Sequence, residues 1–316
     1  MTVATETLEA RSPEDPEWPV CIVVSLDRPV LVGAAVAIRS ALEGIQSGCK
    51  VEVYVFYDGL DKKDMKELEL SWSDIAPTVP DPEITFVPIR EEMFSGLIRS
   101  KAVSRMAYCI LIMADFLPSV SRALYLDTDC IVRTDISALF RLQIGENLAA
   151  GVPDGSHRHG EAQLRRLGVD PTLGYYNTGV VLADLEGWRE TEVGRASLRF
   201  VEDRQPKMHD QDALNAVLAG KWTTLPESWN MWASRLKGPA EEFDGIIHST
   251  GVPKPWHADY DGPVQELFHE TVSRTQLAGR LPRSWLGVAR LIARVRRRLP
   301  YVPTVWRLVK GAVKKK

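Results

Sequence analysis

The sequence predicts an α/β fold, in which a mostly parallel, Rossmann-like sheet carries helices on both faces. Apolar strand patterns alternate with helical patterns along most of the chain, as is typical of parallel sheets. One strand, 123–126, ends in two carboxylates, Asp127 and Asp129, and open α/β sheets bind ligands at the carboxyl ends of their strands. With 316 residues, 45% of them hydrophobic, the chain can bury a sizeable core.

The first half of the chain follows an acidic, proline-containing leader, residues 1–18, which is predicted to be disordered. Apolar runs and alternating apolar residues predict strands at 21–26, 51–57, 83–87 and 123–126. Helical patterns cover 30–42, 61–72 and 101–117. The last of these helices leads directly into the strand that ends at Asp127.

The second half has shorter elements and a distinct tail. Strands are predicted at 148–152 and 179–183, helices at 163–167, 185–201 and 211–218, and an apolar pair, 246–247, precedes His248. Residues 19–270 are therefore predicted to form the main domain. In the tail, 271–316, Trp285 and aliphatic residues recur at helical spacing with arginines on the other side, which predicts a basic amphipathic helix.

Charge is distributed unevenly between these two parts. The net charge is −3, but residues 271–316 contain 13 Lys or Arg and no Asp or Glu. The other 26 of the 39 basic residues are outnumbered by 42 acidic ones, so we expect no nucleic-acid partner. A helix with Trp and aliphatic residues opposite Arg and Lys is typical of an anionic membrane surface. Packing of the tail on the acidic body is the alternative.

Cysteine usage and the N-terminus indicate the cytoplasm. The four cysteines, Cys21, Cys49, Cys109 and Cys130, mostly lie in or beside apolar runs and do not form Cys-x-x-Cys pairs, so we expect reduced core thiols. The N-terminus lacks the basic and apolar segments of a signal peptide. The predicted location is cytoplasmic, with the tail allowing peripheral attachment to the cytoplasmic membrane face.

The acid pair and a distant histidine predict a metal site. Asp127 and Asp129 repel each other unless a cation lies between them, and His248 can supply an imidazole nitrogen. Two carboxylates and one imidazole suit Mn²⁺ better than Ca²⁺, which prefers oxygen ligands. Taken alone, the acids could form a solvated turn, and His248 could be an ordinary core or surface histidine.

Three further segments carry candidate binding residues. After His248, Gly251 allows close backbone approach to a ligand and Lys254 is a cation suited to phosphate. The polar Asn177, which opens a predicted strand, suits a sugar hydroxyl, with a simple turn as the alternative. In the segment from His209 to Asn215, Asp210 lies in the first turn of a predicted helix, where helix capping would also explain it.

Together these segments resemble the family 8 glycosyltransferases, which include glycogenin and bacterial lipopolysaccharide galactosyl- and glucosyltransferases. The resemblance covers roughly residues 20–262 and rests on the strand followed by Asp-Thr-Asp and on the motifs YNTGVVL, DQDALN, LPESWN and HSTGVPKPW. It implies an A-type glycosyltransferase fold, with 19–270 as the catalytic domain. It also implies retaining transfer of a hexose from UDP-glucose or UDP-galactose, with Mn²⁺ or alternatively Mg²⁺ bound.

The resemblance also assigns roles to individual residues. The metal ligands would be Asp127, Asp129 and His248. The diphosphate would be held by Gly251 and Lys254, and the uracil would contact Asp27. The donor sugar would contact Asn177, Asp210 and Gln211, and Asp154 would complete its pocket. Gln211 would lie beneath the anomeric carbon. An amide is a poor nucleophile, so we expect same-face attack guided by the departing phosphate, with Asp210 as the alternative nucleophile. The acceptor is expected to be a glycan or a lipid-linked glycan.

The chain departs from the family at two positions. Ile110 stands where family members carry an Arg, with Arg105 five residues earlier, and Pro29 stands where Asn is frequent. Loss of the Arg contact leaves open a non-catalytic protein that binds UDP-sugars. A strand that ends in Asp-x-Asp also occurs in phosphatases of the haloacid dehalogenase type, which is the remaining alternative.

Overall fold

A computed structural model describes residues 19–45, 49–75, 82–97, 104–155 and 161–281 of the protein. Within these residues the strands are β1 (Val20–Asp27), β2 (Val51–Asp58), β3 (Glu83–Pro88), β4 (Arg122–Leu126), β5 (Cys130–Val132), β6 (Ala149–Pro153), β7 (Tyr176–Asp184), β8 (Trp222–Thr224), β9 (Met231–Trp232) and β10 (Ile246–His248). The α-helices are α1 (Leu31–Gly44), α2 (Lys62–Glu69), α3 (Cys109–Phe116), α4 (Ser137–Phe140), α5 (Glu161–Leu167), α6 (Leu185–Glu190), α7 (Val193–Arg204), α8 (His209–Val217) and α9 (Gln265–Ser273).

Seven of these strands form a central sheet in the order β3-β2-β1-β4-β7-β6-β8. Neighbours pair in parallel except where β7 runs antiparallel to β4 and β6, so the prediction of a mostly parallel sheet is confirmed. Apolar side chains fill both faces of β1, where Ile22, Val23 and Val24 are fully buried. Helix α1 packs with α2 and α9, whereas α3 packs with α6, α7 and α8.

The order of strands brings two distant segments to one edge of the sheet. Strands β1 and β4 pair in parallel, with Ile22 opposite Leu124, although β2 and β3 lie between them in the chain. Their carboxyl ends therefore place Asp27 beside the turn that carries Asp127 and Asp129. This is the point where the strand order reverses, which is where open α/β sheets bind ligands.

A second, three-stranded sheet in the order β5-β10-β9 was not predicted from the sequence. Its strands contain two or three residues each, too few for the period of a strand to appear in the sequence. Strand β10 pairs antiparallel with β5, with His248 opposite Cys130, and parallel with β9. The second sheet thus carries His248 to the turn that follows β4.

Two predicted helices differ from the observed ones. In place of one helix over 101–117, α3 begins at Cys109 after a 3₁₀ turn over Arg105–Tyr108; residues 101–103 lie outside the described part of the chain. The helix predicted at 185–201 is divided into α6 and α7, and Glu192 between them has a φ of +52°. Gly194 allows α7 to approach α3, since a Cβ atom there would lie 2.5 Å from the carbonyl oxygen of Leu111.

The described chain continues past residue 270 as packed structure. Helix α9 spans Gln265–Ser273, and Leu277 is fully buried. Two cations of the basic segment pair with the acidic body: Arg274 lies 2.8 Å from Glu43, and Arg280 lies 2.6 Å from Asp64. The rest of the predicted tail, 282–316, and the leader, 1–18, lie outside the described residues.

None of the helices in the described part of the chain has the length and apolarity required to span a bilayer.

Candidate metal and donor-binding site

The acid pair lies in the turn that leaves the central sheet. The amide of Asp127 donates to the carbonyl of Gly179 (2.8 Å), and the amide of Cys130 donates back to the carbonyl of Asp127 (3.1 Å). These bonds fix the turn immediately after β4. The Asp129 side chain is 6% exposed, whereas that of Asp127 is 38% exposed. One carboxylate of the pair is therefore buried and the other is partly exposed to solvent.

His248 completes the predicted group of three metal ligands. Its Nε2 lies 3.2 Å from Oδ1 of Asp129 and 3.6 Å from Oδ2 of Asp127. The imidazole is buried, because β10 is the middle strand of the second sheet. The structure therefore brings together the three side chains that the sequence singled out, with one ring nitrogen facing both acids.

The electrostatics of these groups favour an added cation. Burial and the neighbouring Asp129 raise the pKa of Asp127 to about 6. Burial also acts to raise the pKa of Asp129, but the charges of His248 and Lys254 outweigh it and hold that pKa below its usual range. Burial lowers the pKa of His248, yet the two carboxylates raise it overall. The two carboxylates thus depend on neighbouring positive charge to stay ionised, and a divalent cation could supply that charge.

Lys254 already supplies part of that positive charge. Its Nζ contacts Oδ2 of Asp129 and donates to the carbonyl of Ser249 at 3.1 Å. The loop that carries it is anchored by Trp256, which packs so closely on α1 that a Cβ atom on Gly33 would lie 2.4 Å from the indole. Gly251 in the same loop is exposed, with a φ of +83°. The loop thus holds a cation beside the acids and presents a glycine to solvent.

Cys130 is a neighbour of the site that sequence reasoning treated only as a core thiol. Its sulfur lies within 4.8 Å of ligand atoms of Asp129 and His248. Burial and the charges of Asp129 and Asp127 raise the pKa of this thiol well above its usual value. Cys130 is therefore a neutral thiol beneath the acids.

The predicted donor-sugar residues form a second group beside the acids. Nε2 of Gln211 donates to Oδ2 of Asp154 (2.8 Å), and Nδ2 of Asn177 donates to Oε1 of Gln211 (3.0 Å). Asn177 lies within β7, which begins at Tyr176, so the alternative of a simple turn is wrong. Both Asn177 and Gln211 are buried, and their amides are held by the protein.

Asp210 lies at the start of α8, as predicted. Its Oδ2 accepts from Oγ1 of Thr178 at 3.1 Å. Burial and the charge of Asp127 raise the pKa of Asp210 to about 8. The next acid in the helix, Asp212, accepts from the Tyr175 hydroxyl (2.7 Å) and the Met208 amide (3.0 Å), so it has a structural role.

Asp27 and the two departures from the family pattern occupy different environments. Asp27 ends β1, and its Oδ1 is a buried oxygen with no hydrogen-bond partner among the described residues. Ile110 is fully buried in α3. Arg105 donates to the carbonyl of Ser95 at 3.4 Å, and Pro29 lies in the 3₁₀ turn after β1. The unsatisfied oxygen of Asp27 marks a place where a ligand could donate a hydrogen bond.

Sequence reasoning missed Asn230 as a site residue. Its Oδ1 lies 2.8 Å from Nδ1 of His248, and its Nδ2 donates to Oδ1 of Asn177 at 2.8 Å. Asn230 ends the LPESWN segment, so the motif was visible in the sequence. Its role was not, because nothing in that segment shows which distant side chains it faces.

Comparisons with known proteins extend over most of the chain. A family model described as glycosyl transferase family 8 matches residues 21–260. General stress protein A of Bacillus subtilis (strain 168) is 28% identical over 258 residues, 75% of this chain and 87% of that protein. The lipopolysaccharide 1,2-glucosyltransferase of Escherichia coli (strain K12) is 32% identical over 189 residues, which are 55% of this chain and 56% of that protein.

Solved structures show the same architecture. The galactosyltransferase LgtC, crystallised in complex with donor and acceptor sugar analogs, superimposes with a TM-score of 0.70 at 22% sequence identity. The superposition covers 85% of this chain and 99% of that chain. At this level of identity the similarity establishes a shared fold.

Proposed function

The chain belongs to glycosyltransferase family 8 and is a hexosyltransferase with the A-type fold of that family, and from that premise we propose that it transfers glucose or galactose from a UDP-sugar with retention of configuration. One observation carries the proposal. The acids Asp127 and Asp129 meet His248 at the carboxyl edge of the sheet, beside the amide of Gln211. Such a site can hold a diphosphate through a metal and place a sugar against fixed polar groups.

The side chains fit a divalent metal. Asp127, Asp129 and His248 offer two carboxylates and one imidazole, a donor set that suits Mn²⁺ and also admits Mg²⁺. Burial and the neighbouring Asp129 raise the pKa of Asp127, so a cation between the two acids would stabilise both in the ionised form. When bound, the ion would stabilise the negative charge of the leaving diphosphate, a contribution of several kcal/mol.

Lys254 is proposed to change partners when the donor binds. Its ammonium lies against Asp129, and it can instead donate a charge-assisted hydrogen bond to a diphosphate oxygen. Gly251, exposed in the same loop, leaves room for the phosphates to approach the backbone. Asp27, with its unsatisfied buried oxygen, is proposed to accept from the uracil N–H.

The contacts of Gln211 favour an orienting role and same-face attack. Its Oε1 accepts from Asn177 and from the amide of Thr178 (3.2 Å), while its Nε2 donates to Asp154. Both ends of the amide are therefore engaged, and an amide is in any case a weak nucleophile. Burial and the charge of Asp127 raise the pKa of Asp210, which makes this carboxyl a weaker nucleophile in the metal-free site. The acceptor is then proposed to attack from the face that the diphosphate leaves.

The acceptor is proposed to be a glycan or a lipid-linked glycan. Relatives include a lipopolysaccharide glucosyltransferase, and the basic segment from 282 onward contains cations beyond those that pair with the body. We propose that this segment holds a cytoplasmic enzyme on an anionic membrane surface, where a lipid-linked acceptor is concentrated. The proposal thus specifies the chemical class of the acceptor.

The proposal is tested by a screen of UDP-sugars for hydrolysis and transfer, with and without Mn²⁺. We expect one UDP-hexose to turn over only with the metal, and Asp129→Asn to abolish turnover. Asp259→Asn, at an exposed acid of another Asp-x-Asp pair, is the matched control. Mn²⁺-dependent UDP binding without turnover would instead favour the non-catalytic alternative that Ile110 raises. Release of phosphate from a phosphomonoester would favour a phosphatase, an alternative that family membership does not support.

A further inference from the structure

We infer that Asn230 is a positioning residue that fixes the tautomer of His248 and links this metal ligand to the donor-sugar amide of Gln211. The inference rests on the proposed function in one respect, because it takes His248 as a metal ligand. Asn230 ends a 3₁₀ turn over Glu227–Asn230, directly before β9. The pairing of β9 with β10 brings it beside His248.

Four hydrogen bonds join five side chains into one series, which we call the amide chain. From the metal site to the sugar pocket, it runs through His248, Asn230, Asn177, Gln211 and Asp154, with donor-acceptor distances of 2.8, 2.8, 3.0 and 2.8 Å. The three amide side chains are buried, and Asn230 is only 2% exposed. An amide in the flipped orientation would therefore lose hydrogen bonds that water could not replace.

The direction of the amide chain is fixed at the sugar end by groups with only one possible role. A backbone N–H can only donate. The amide of Thr178 (3.2 Å) therefore requires Gln211 to present its oxygen on that side, which leaves the NH₂ of Gln211 to donate to Asp154. The orientation of the Gln211 amide thus follows from its neighbours.

Neighbouring groups orient the amides of Asn177 and Asn230 in the same way. The backbone amide of Gly179 donates to Oδ1 of Asn177 at 3.0 Å, which leaves Nδ2 of Asn177 to donate to Gln211. Because Oδ1 of Asn177 is an acceptor, Asn230 must donate to it through Nδ2. Asn230 then presents its oxygen to His248.

The orientation of Asn230 determines which nitrogen of the His248 imidazole carries a hydrogen. An acceptor at Nδ1 requires that nitrogen to carry the hydrogen, so Nε2 is the nitrogen that can give up its proton and offer its lone pair to a metal. Nε2 is the atom that faces Asp127 and Asp129. Asn230 thus holds His248 in the tautomer that can ligate a metal there, which is the role that partners of ligating histidines generally have.

Two substitutions at Asn230 separate this role from a purely structural one. Asn230→Ala removes both bonds, whereas Asn230→Asp keeps an acceptor for His248 but cannot donate to Asn177. We expect Asn230→Ala to weaken binding of Mn²⁺ alone about 10–100-fold. We expect Asn230→Asp to lose much less Mn²⁺ affinity than Asn230→Ala, because it keeps the acceptor for His248, but to lower kcat because a carboxylate would repel Oδ1 of Asn177, which contacts Gln211 through its amide.

Binding is measured by electron paramagnetic resonance of free Mn²⁺ without nucleotide. The tautomer of His248 is measured by ¹⁵N NMR of the protein saturated with Mg²⁺, which is diamagnetic, with the signal assigned by its loss in His248→Gln. Asn147→Ala, which removes a bond to Thr223 (2.9 Å), is the matched control and should bind Mn²⁺ as the wild type does. We expect the Nδ1–H tautomer in the wild type and in Asn230→Asp, and its loss in Asn230→Ala.

Two results would overturn the inference. One is wild-type Mn²⁺ affinity with an unchanged tautomer in Asn230→Ala. The other is an equal loss of Mn²⁺ binding in Asn230→Asp and Asn230→Ala, which would make the residue a structural one. Neither readout requires a donor, so a failed UDP-sugar screen would sink the proposed transfer reaction and leave this test intact.

Discussion

A Cβ atom on Gly179 would lie 2.1 Å from Cε1 of His248, so β7 and the imidazole are in contact with no room for a side chain. The same Cβ atom would lie 2.9 Å from Oδ2 of Asp127. The absence of a side chain at Gly179 therefore allows two of the proposed metal ligands, His248 and Asp127, to lie against β7. The glycine is required by space, since its backbone is part of a regular strand.

We predict that Gly179→Ala displaces His248 and Asp127 and lowers transfer activity by about 100-fold or more, the usual effect of a misplacement of about 1 Å. Overpacking should also destabilise the fold by about 1–3 kcal/mol. Activity assays and thermal unfolding check both. Gly279→Ala, where a Cβ atom would meet nothing within 4 Å, should change neither. Full activity in Gly179→Ala would show that the ligands do not need this contact.

The raised pKa of Asp127, about 6, predicts a pH dependence of metal binding. The metal requires the ionised carboxylate, so Mn²⁺ affinity should fall as pH drops through 6, at most tenfold per pH unit for one proton. The stability of the metal-free protein should change in the opposite direction and increase as pH drops. A carboxyl pKa raised by folding adds stability at low pH that is lost as pH rises through 6.

Thermal unfolding of the metal-free protein between pH 4 and pH 7 checks the second statement, because the stability is lost between the usual carboxyl pKa of 3.8 and the raised value of about 6; Asp127→Asn serves for comparison. The wild type should lose more stability than this variant as pH rises. Parallel curves for the two proteins would contradict the assigned titration. Titration of Mn²⁺ at each pH measures the affinity itself.

Asp210, with a pKa of about 8, predicts a gain of stability on neutralisation. A pKa raised by folding gives stability that is lost as pH rises through 8. Asp210→Asn should therefore melt like the wild type near pH 4, and increasingly higher than the wild type as pH rises from 4 to 9, while transfer activity falls. Asp203→Asn, at an exposed position of α7, is the control. A covalent sugar adduct trapped on Asp210 would instead make it the nucleophile.

Lys254→Met should change two affinities in opposite directions. Without the ammonium on Asp129, Mn²⁺ alone should bind several-fold tighter, because a competing like charge is gone. UDP should bind about 10–100-fold weaker in the presence of Mn²⁺, as expected for the loss of a hydrogen bond to a charged group. Calorimetry measures both, with Lys207→Met at an exposed position as control. Weaker Mn²⁺ binding would show that Lys254 assists the metal.

The full chain should sediment with anionic vesicles and remain in solution with neutral ones. Each basic residue near an anionic surface contributes about 1 kcal/mol, so replacing Arg294, Arg296, Arg297 and Arg298 with Gln should remove about 4 kcal/mol, roughly a 10³-fold loss of binding. Binding should also weaken as salt rises. If the intact chain stays in the supernatant, the membrane proposal is wrong, and packing of the tail on the acidic body is the favoured alternative.

Local pattern was sufficient for the central strands and for the acid pair. The apolar run before Asp127 and the alternation from Val51 depend only on which face of a strand is buried, so period and composition reveal them. Residue chemistry suggested His248 and Lys254 as partners of those acids, and the resemblance to family 8 added Gln211 and a role for each. The sequence thus determined the class of fold and the set of side chains available to the site.

Only the tertiary structure decided how those side chains face one another. It showed the short second sheet, the break at Glu192 between α6 and α7, the contact of Lys254 with Asp129, and the bonds of Asn230 to His248 and Asn177. The physical reason is that strand order and register determine which distant residues meet, and neither leaves a local period in the sequence. A strand as short as β10 derives its place from its partners, and the roles of His248 and Asn230 follow from that place.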